Sequence, residues 1–395
     1  MTTEQLFCQA VRASLYPDCF QYPKMDRAEF EELSVLLKKH TLGPLIYDKM
    51  KADENSLLSQ KEYKNILYTQ KIYYAQYLYA QNKVLERMRL AGIPCVILKG
   101  TVSASYYRKP YLRKLGDIDL LIRKKEEEAA IRCLNEIGYR HHEYFEDEFE
   151  QSYDNGYFQI ELHTGFSPEK QFGRHADKIN NYLLEGFNDI CNIELEGYVF
   201  PSFKEDRVGV LMLEHLHRHL LHGIGFRQVI DWMQYVDHYI DDKAWESKMK
   251  DLFSYFHLDK FAIIVTAMCQ KYLGLRTDEM TWMQDADDQV CEELFLYIMS
   301  MGNFGINLQA NKEGLAKRIC ERDFFSLLRF TQHTGMNTWK ATKKYNWLKP
   351  FAGIYQIRLF FVHAKQRHYD ISLSSIVEEK KRMKRVQRLM KELGL

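Results

Sequence analysis

Residues 92–122 constrain the fold most, because there a chain of otherwise helical periodicity is interrupted by two short apolar runs that cannot be amphipathic helices. GIPCVILKG opens on a turn signal at Gly92, continues through β-branched and apolar residues, and closes at Gly100. A run of that length between glycines reads as a buried strand. Thr101–Tyr107 suit a short helix, Pro110 breaks it, and Gly116 introduces DIDLLI, a second strand in which carboxylates alternate with apolar residues. The spacing then predicts a helix over 125–137 (KEEEAAIRCLNEI), closed by Gly138 as its C-terminal cap. A third strand follows at YFQIELH, 157–163, where apolar and polar positions alternate with the period of a half-buried strand.

On either side the period is helical. Upstream it runs through Leu33, Leu36 and Leu37 and through Ile66, Tyr73, Tyr77, Val84 and Met88; downstream it returns at EDRVGVLMLEHLHRHLL and persists to the C-terminus. Tyr73, Tyr74, Tyr77 and Tyr79 are read as aromatics packing on a neighbouring element, and the basic run in 378–395 as a solvated helix face. The expected fold class is α+β, with an α/β-type unit at 91–203 holding a small mixed β-sheet. It is flanked by an N-terminal helical region at 1–90 and a larger all-helical domain at 204–395.

Charge and cysteine content narrow the setting. The 55 Lys and Arg nearly cancel the 54 Asp and Glu, so no overall field steers the chain toward long nucleic acid or an anionic membrane. The eight cysteines are scattered, without the paired spacing of a zinc or redox motif. Polar residues fill the N-terminal stretch where a signal peptide needs an apolar run, and Phe261–Met268 falls far short of the ~20 residues of a membrane span. The expected location is the cytoplasm.

The chemistry is concentrated in Lys99-Gly100-Thr101, Arg113 and Gly116-Asp117-Ile118-Asp119. On a strand, residues two apart face the same way, so Asp117 and Asp119 project together while Ile118 and Leu120 face the core. Two adjacent carboxylates ask for a cation, and a hard divalent ion such as magnesium is the usual one. Glu161, with Ile160 and Leu162 on the opposite face, is the expected third ligand, and three carboxylates can support two ions in phosphoryl-group chemistry. Gly100 and Thr101, where a strand turns into a helix, are expected to meet phosphate oxygens, with Lys99, Arg108 and above all Arg113 as cationic contacts.

A second constellation follows at His215 and His219, with His217 and His222 nearby, then Arg227 and Asp231. The histidine spacing could bind zinc, which would make the chain a zinc hydrolase. The preferred reading is that these residues hydrogen-bond across helices or line an acceptor cleft. His163, beside Glu161, either orients a carboxylate or is a hydrogen-bonded structural histidine.

A strand ending in Gly-Thr, a strand-borne Asp-x-Asp and a later acidic residue together resemble the DNA polymerase β-type nucleotidyltransferase superfamily. Thr101 stands where that superfamily usually has serine, and the stretch from Gly100 to Asp117 is longer than its common spacing. LKG, the Arg113-to-GDIDLL segment, IELH and HLHRHLLHGIGFRQVIDW more closely resemble the uncharacterised bacterial family NTP_transf_5, from about residue 35 to about residue 240. The resemblance implies a magnesium-dependent transfer of a nucleoside monophosphate, from ATP or another triphosphate, to an acceptor hydroxyl. Asp117, Asp119 and Glu161 would be catalytic metal ligands, and Lys99, Gly100, Thr101, Arg113 and Gly116 would bind the nucleotide. The alternative is a degenerate module that binds nucleotide or a partner protein.

Overall fold

The computed structural model describes residues 1–50, 60–141, 149–166, 176–276, 278–302, 331–332, 335–336, 339, 341–366 and 373–395. The chain divides into two compact units, Met1–Asn303 with Leu393–Leu395, and Phe304–Glu392.

The first unit begins with four helices, α1 (Thr3–Leu15), α2 (Arg27–His40), α3 (Gly43–Met50) and α4 (Gln60–Leu90). Reciprocal caps start the first two, Thr2 with Gln5 and Asp26 with Glu29, so free backbone N–H groups at both ends are bonded before any tertiary contact forms. Five strands follow: β1 (Cys95–Ile97), β2 (Ile118–Ile122), β3 (Arg140–His141), β4 (Glu150–Asp154) and β5 (Gln159–His163). Helix α5 (Thr101–Ser105) separates β1 from β2, and α6 (Glu127–Glu136) separates β2 from β3.

The sheet order is β1-β2-β5-β4-β3, antiparallel except between β2 and β5, so it is mixed. All five residues of β2 are buried, which explains how an acidic strand survives centrally: Ile118, Leu120, Leu121 and Ile122 pay no polar desolvation, and Asp119 has partners. Helix α6 ends as its sequence implies. Gly138 adopts φ +93°, Tyr139 N–H bonds Leu134 O and Gly138 N–H bonds Asn135 O, the paired bonds of a left-handed helix stop.

Two hairpins add to what periodicity alone suggests. Asn155 and Gly156 turn β4 into β5, with the Asn155 carboxamide oxygen accepting from Tyr157 and Phe158 N–H and Gly156 at φ +85°. Helix α7 (Ala176–Glu185) leads to β6 (Ile190–Leu195) and β7 (Tyr198–Phe203), a separate two-stranded sheet closed by Glu196 and Gly197, both at positive φ.

The remainder of the unit is helical: α8 (Glu205–His222), α9 (Phe226–Tyr239), α10 (Asp242–Tyr255), α11 (Asp259–Leu273) and α12 (Asp288–Met301). Among the described residues no single helix is long and apolar enough to cross a membrane. In the second unit, α13 (Ala352–Gln366) precedes α14 (Leu373–Glu392). Helix α14 buries Met383, Val386 and Leu389 and exposes Lys381, Lys384, Arg385 and Arg388, so its basic residues form a solvated face. Among the described residues the protein is thus mostly helical, with a mixed five-stranded sheet and a separate two-stranded sheet, an α+β fold.

Candidate active site

The parallel register of β2 and β5 places Asp119 opposite Glu161, and Leu121 opposite His163. Since residues two apart share a face, Glu161 and His163 both turn toward Asp119. The His163 Nε2 lies 3.2 Å from Asp119 Oδ1 and 3.8 Å from Glu161 Oε2, and its Nδ1 lies 3.7 Å from Glu150 Oε2 on β4. One donor atom each from Asp119, Glu161 and His163 falls within 4.8 Å of the others, a spacing that could hold a metal ion.

Lys99 enters from the end of β1. Leu98 N–H bonds the Asp119 carbonyl, and the Lys99 ammonium reaches Asp119 Oδ1 at 2.8 Å. Burial alone would lift the Asp119 carboxyl, but Lys99 and His163 outweigh it and hold the group well below the ordinary carboxylate range. Burial depresses Lys99 in turn, and Asp119 with Glu161 reverse this, leaving it above the usual lysine value. Glu161 has the opposite fate: burial and the charge of Asp119 push it well up. Asp117 is also raised, by burial and by Asp119, against the pull of Lys99, a hydrogen bond with Glu161 and Arg227. Carboxylates that disfavour one another's ionisation in this way are suited to a divalent cation between them.

Asp117 lies one residue before β2; the residue as a whole reaches solvent, while its carboxyl is crowded by Asp119, Lys99 and Glu161. Its loop is clamped from two sides. From α4, the Tyr77 hydroxyl donates to Asp117 O at 2.8 Å, Tyr73 to Leu115 O at 3.5 Å and the Gln70 amide to Tyr111 O at 2.8 Å. From α9, Arg227 Nη1 donates to Lys114 O at 2.9 Å and lies 3.8 Å from where a Cβ on Gly116 would be. Arg113 in the same loop is 6% exposed, and its Nε and Nη2 both bond Asp231 of α9, at 2.8 and 2.6 Å; the Tyr107 hydroxyl completes that carboxylate at 2.8 Å. The guanidinium of Arg113 is therefore turned into the protein, and Lys99 and Arg227 are cations that act on the carboxylates. Arg227 Nε is buried without a hydrogen-bond partner among the described residues. Arg108 reaches Asp18 instead, at 3.5 Å.

Gly100 occupies a turn that needs glycine twice over. Its φ is +66°, and an added Cβ would lie 3.0 Å from the Tyr77 hydroxyl oxygen. Thr101, fully buried, exchanges hydrogen bonds with the Gln81 amide, so its hydroxyl is engaged within the protein.

Helix α8 presents His215 and His219, whose Nε2 atoms lie 2.9 Å apart. Burial, together with the charges of Lys99, His219, Arg218 and Arg227, holds His215 well below the ordinary histidine range, so the side chain of His215 stands near the cations of the site. The His222 side chain lies outside the described residues.

The site thus brings together Lys99, Asp117, Asp119, Glu161, His163, His215 and Arg227, while Arg113 and Asp231 form a buried brace beneath it. Sequence reasoning missed Tyr77, Gln81, Tyr107 and Glu150. Only for Tyr77 did a signal exist, in the buried stripe of α4, and periodicity cannot tell a packed tyrosine from one whose hydroxyl holds a loop.

A family model described as an uncharacterised nucleotidyltransferase, NTP_transf_5, matches residues 26–274, which include every residue of this site. The chain belongs to that family. No match was found among curated proteins or among solved structures.

Proposed function

We propose that this member of the nucleotidyltransferase family moves a nucleoside monophosphate from a triphosphate, ATP first among the candidates, to a hydroxyl of an acceptor, releasing pyrophosphate. The observation that carries the reading is the parallel pairing of Asp119 with Glu161, with His163 within 3.2 Å of the one and 3.8 Å of the other, beside an exposed Asp117.

Asp119, Glu161 and His163, with Asp117 at the mouth, would hold a divalent ion, magnesium in this reading; when bound it would offset phosphate charge as the transfer proceeds. In the transfer the acceptor oxygen forms a bond to the α-phosphorus, and the bond from that phosphorus to the β-bridging oxygen breaks. Pyrophosphate departs with the electron pair. The hydroxyl proton passes to the Glu161 carboxylate, which the strand register sets opposite Asp119. Arg227, with a buried Nε that has no partner among the described residues, would bind the departing phosphates. Gly100 brings the β1 turn close without a side chain in the way. His215 and His219 would line the acceptor side, and the cytoplasm remains the proposed location.

The test is to follow label from α-³²P and γ-³²P forms of ATP, GTP, CTP and UTP in a metabolite and peptide extract with the purified chain. Movement of α-label into a new species, with equimolar pyrophosphate, supports the proposal. Movement of γ-label onto an acceptor, and not into pyrophosphate, would mean phosphoryl transfer and would overturn it.

A further inference from the structure

The expectation of two ions meets an obstacle in Lys99. A two-ion site needs one carboxylate to bridge ions about 3.5–4 Å apart, each about 2.1 Å from its oxygen ligands. Asp119, central in β2 and opposite Glu161, is the residue placed to bridge. Its Oδ1 is already engaged, by the Lys99 ammonium at 2.8 Å and by His163 Nε2 at 3.2 Å. An ion bonded to that oxygen would sit inside the contact shell of a second cation.

Resting on the nucleotidyltransferase reading, we infer that Lys99 permanently fills one of the two cation positions, so that the site takes a single divalent ion. Lys99 is a built part of the site. Its backbone is pinned by the bond from Leu98 N–H to Asp119 O and by the turn at Gly100, where Tyr77 leaves no room for a side chain. The Lys99 side chain is 24% exposed and that of Asp119 8%, so the pair is shielded from competing water and salt. Lys99 is then a positioning residue: its 2.8 Å contact orients Asp119, and it leaves the acceptor proton to Glu161.

The experiment counts ions. Free Mn²⁺ is titrated into the full chain and followed by its electron paramagnetic resonance signal, for wild type, Lys99→Met and Lys99→Arg, with folding checked by circular dichroism. We expect one Mn²⁺ per wild-type chain, one for Lys99→Arg, and two for Lys99→Met, with the spin-coupled spectrum of a close pair. If Lys99→Met does not accumulate folded, Lys99→Gln replaces it, and Mn²⁺ is expected to raise its melting temperature more than that of wild type. Two ions on the wild-type chain, or one on the uncharged variant, would overturn the inference while leaving a metal-binding nucleotidyltransferase. No Mn²⁺ on any variant would instead remove the metal reading on which it rests.

Discussion

Arg113 and Asp231, far apart in the sequence, meet in a two-point ion pair with both side chains under a tenth exposed. One belongs to the loop that carries Asp117, the other to α9, so the pair ties the sheet to the helical part of the unit. Taking one partner away leaves a buried charge unmatched. Arg113→Ala should therefore cost about 3–5 kcal/mol, and Arg113→Met with Asp231→Leu should recover much of it. Urea unfolding of the three proteins checks this; an Arg113→Ala chain within about 1 kcal/mol of wild type would contradict the brace.

Gly100 offers a sharper steric test. Alanine there adopts an unfavourable positive φ and brings a methyl to 3.0 Å from the Tyr77 oxygen. We expect Gly100→Ala to cost on the order of 1–3 kcal/mol, and Gly100→Ala in a Tyr77→Phe background to cost less, since part of the penalty is the contact. Equal penalties in both backgrounds would remove Tyr77 from the explanation.

His40 supplies a pH test away from the carboxylates. It is fully buried against Phe7 and Phe226, its Nδ1 accepts from Phe226 N–H at 3.3 Å, and burial with the neighbouring Lys39 charge lowers it to about 3. Above the ordinary histidine value of about 6.5 neither folded nor unfolded chain binds a proton there, so His40 contributes no pH dependence. Between 6.5 and about 3 only the unfolded chain does, and stability falls with pH, by about 2 kcal/mol at pH 5. His40→Gln lacks this share, so the stability gap between wild type and variant should narrow from pH 7 to pH 5 in urea melts. A gap that does not change would mean that His40 protonates freely in the folded state.

How much of this was legible follows from range. Asp119 and Glu161 could be singled out because each sits between apolar neighbours in a local alternation, and Gly138 because a helix stop is encoded by the residues around it. The parallel pairing of β2 with β5 was not, since α6, β3 and β4 intervene and no short pattern encodes a crossover partner. For the same reason Arg113 read as a phosphate ligand: nothing near it in sequence announces Asp231. Thr101 read as a phosphate contact because Gln81, its partner, lies on α4. The hairpins were different. Asn155-Gly156 and Glu196-Gly197 carry local turn signals and β5 was read as a strand, whereas β4 and the β6–β7 pair were missed because β4 and β6 are half-exposed and mix polar with apolar residues.

The most direct test of the central claim is calorimetric titration of the folded chain with non-hydrolysable α,β-methylene analogues of ATP, GTP, CTP and UTP, with and without Mg²⁺, for wild type and Asp119→Asn. The account predicts that wild type binds at least one analogue, that Mg²⁺ strengthens the binding, and that Asp119→Asn loses the Mg²⁺-dependent part by on the order of 100-fold or more. Analogue binding indifferent to Mg²⁺ and unchanged in Asp119→Asn, or no binding of any of the four to the folded wild type, would contradict it.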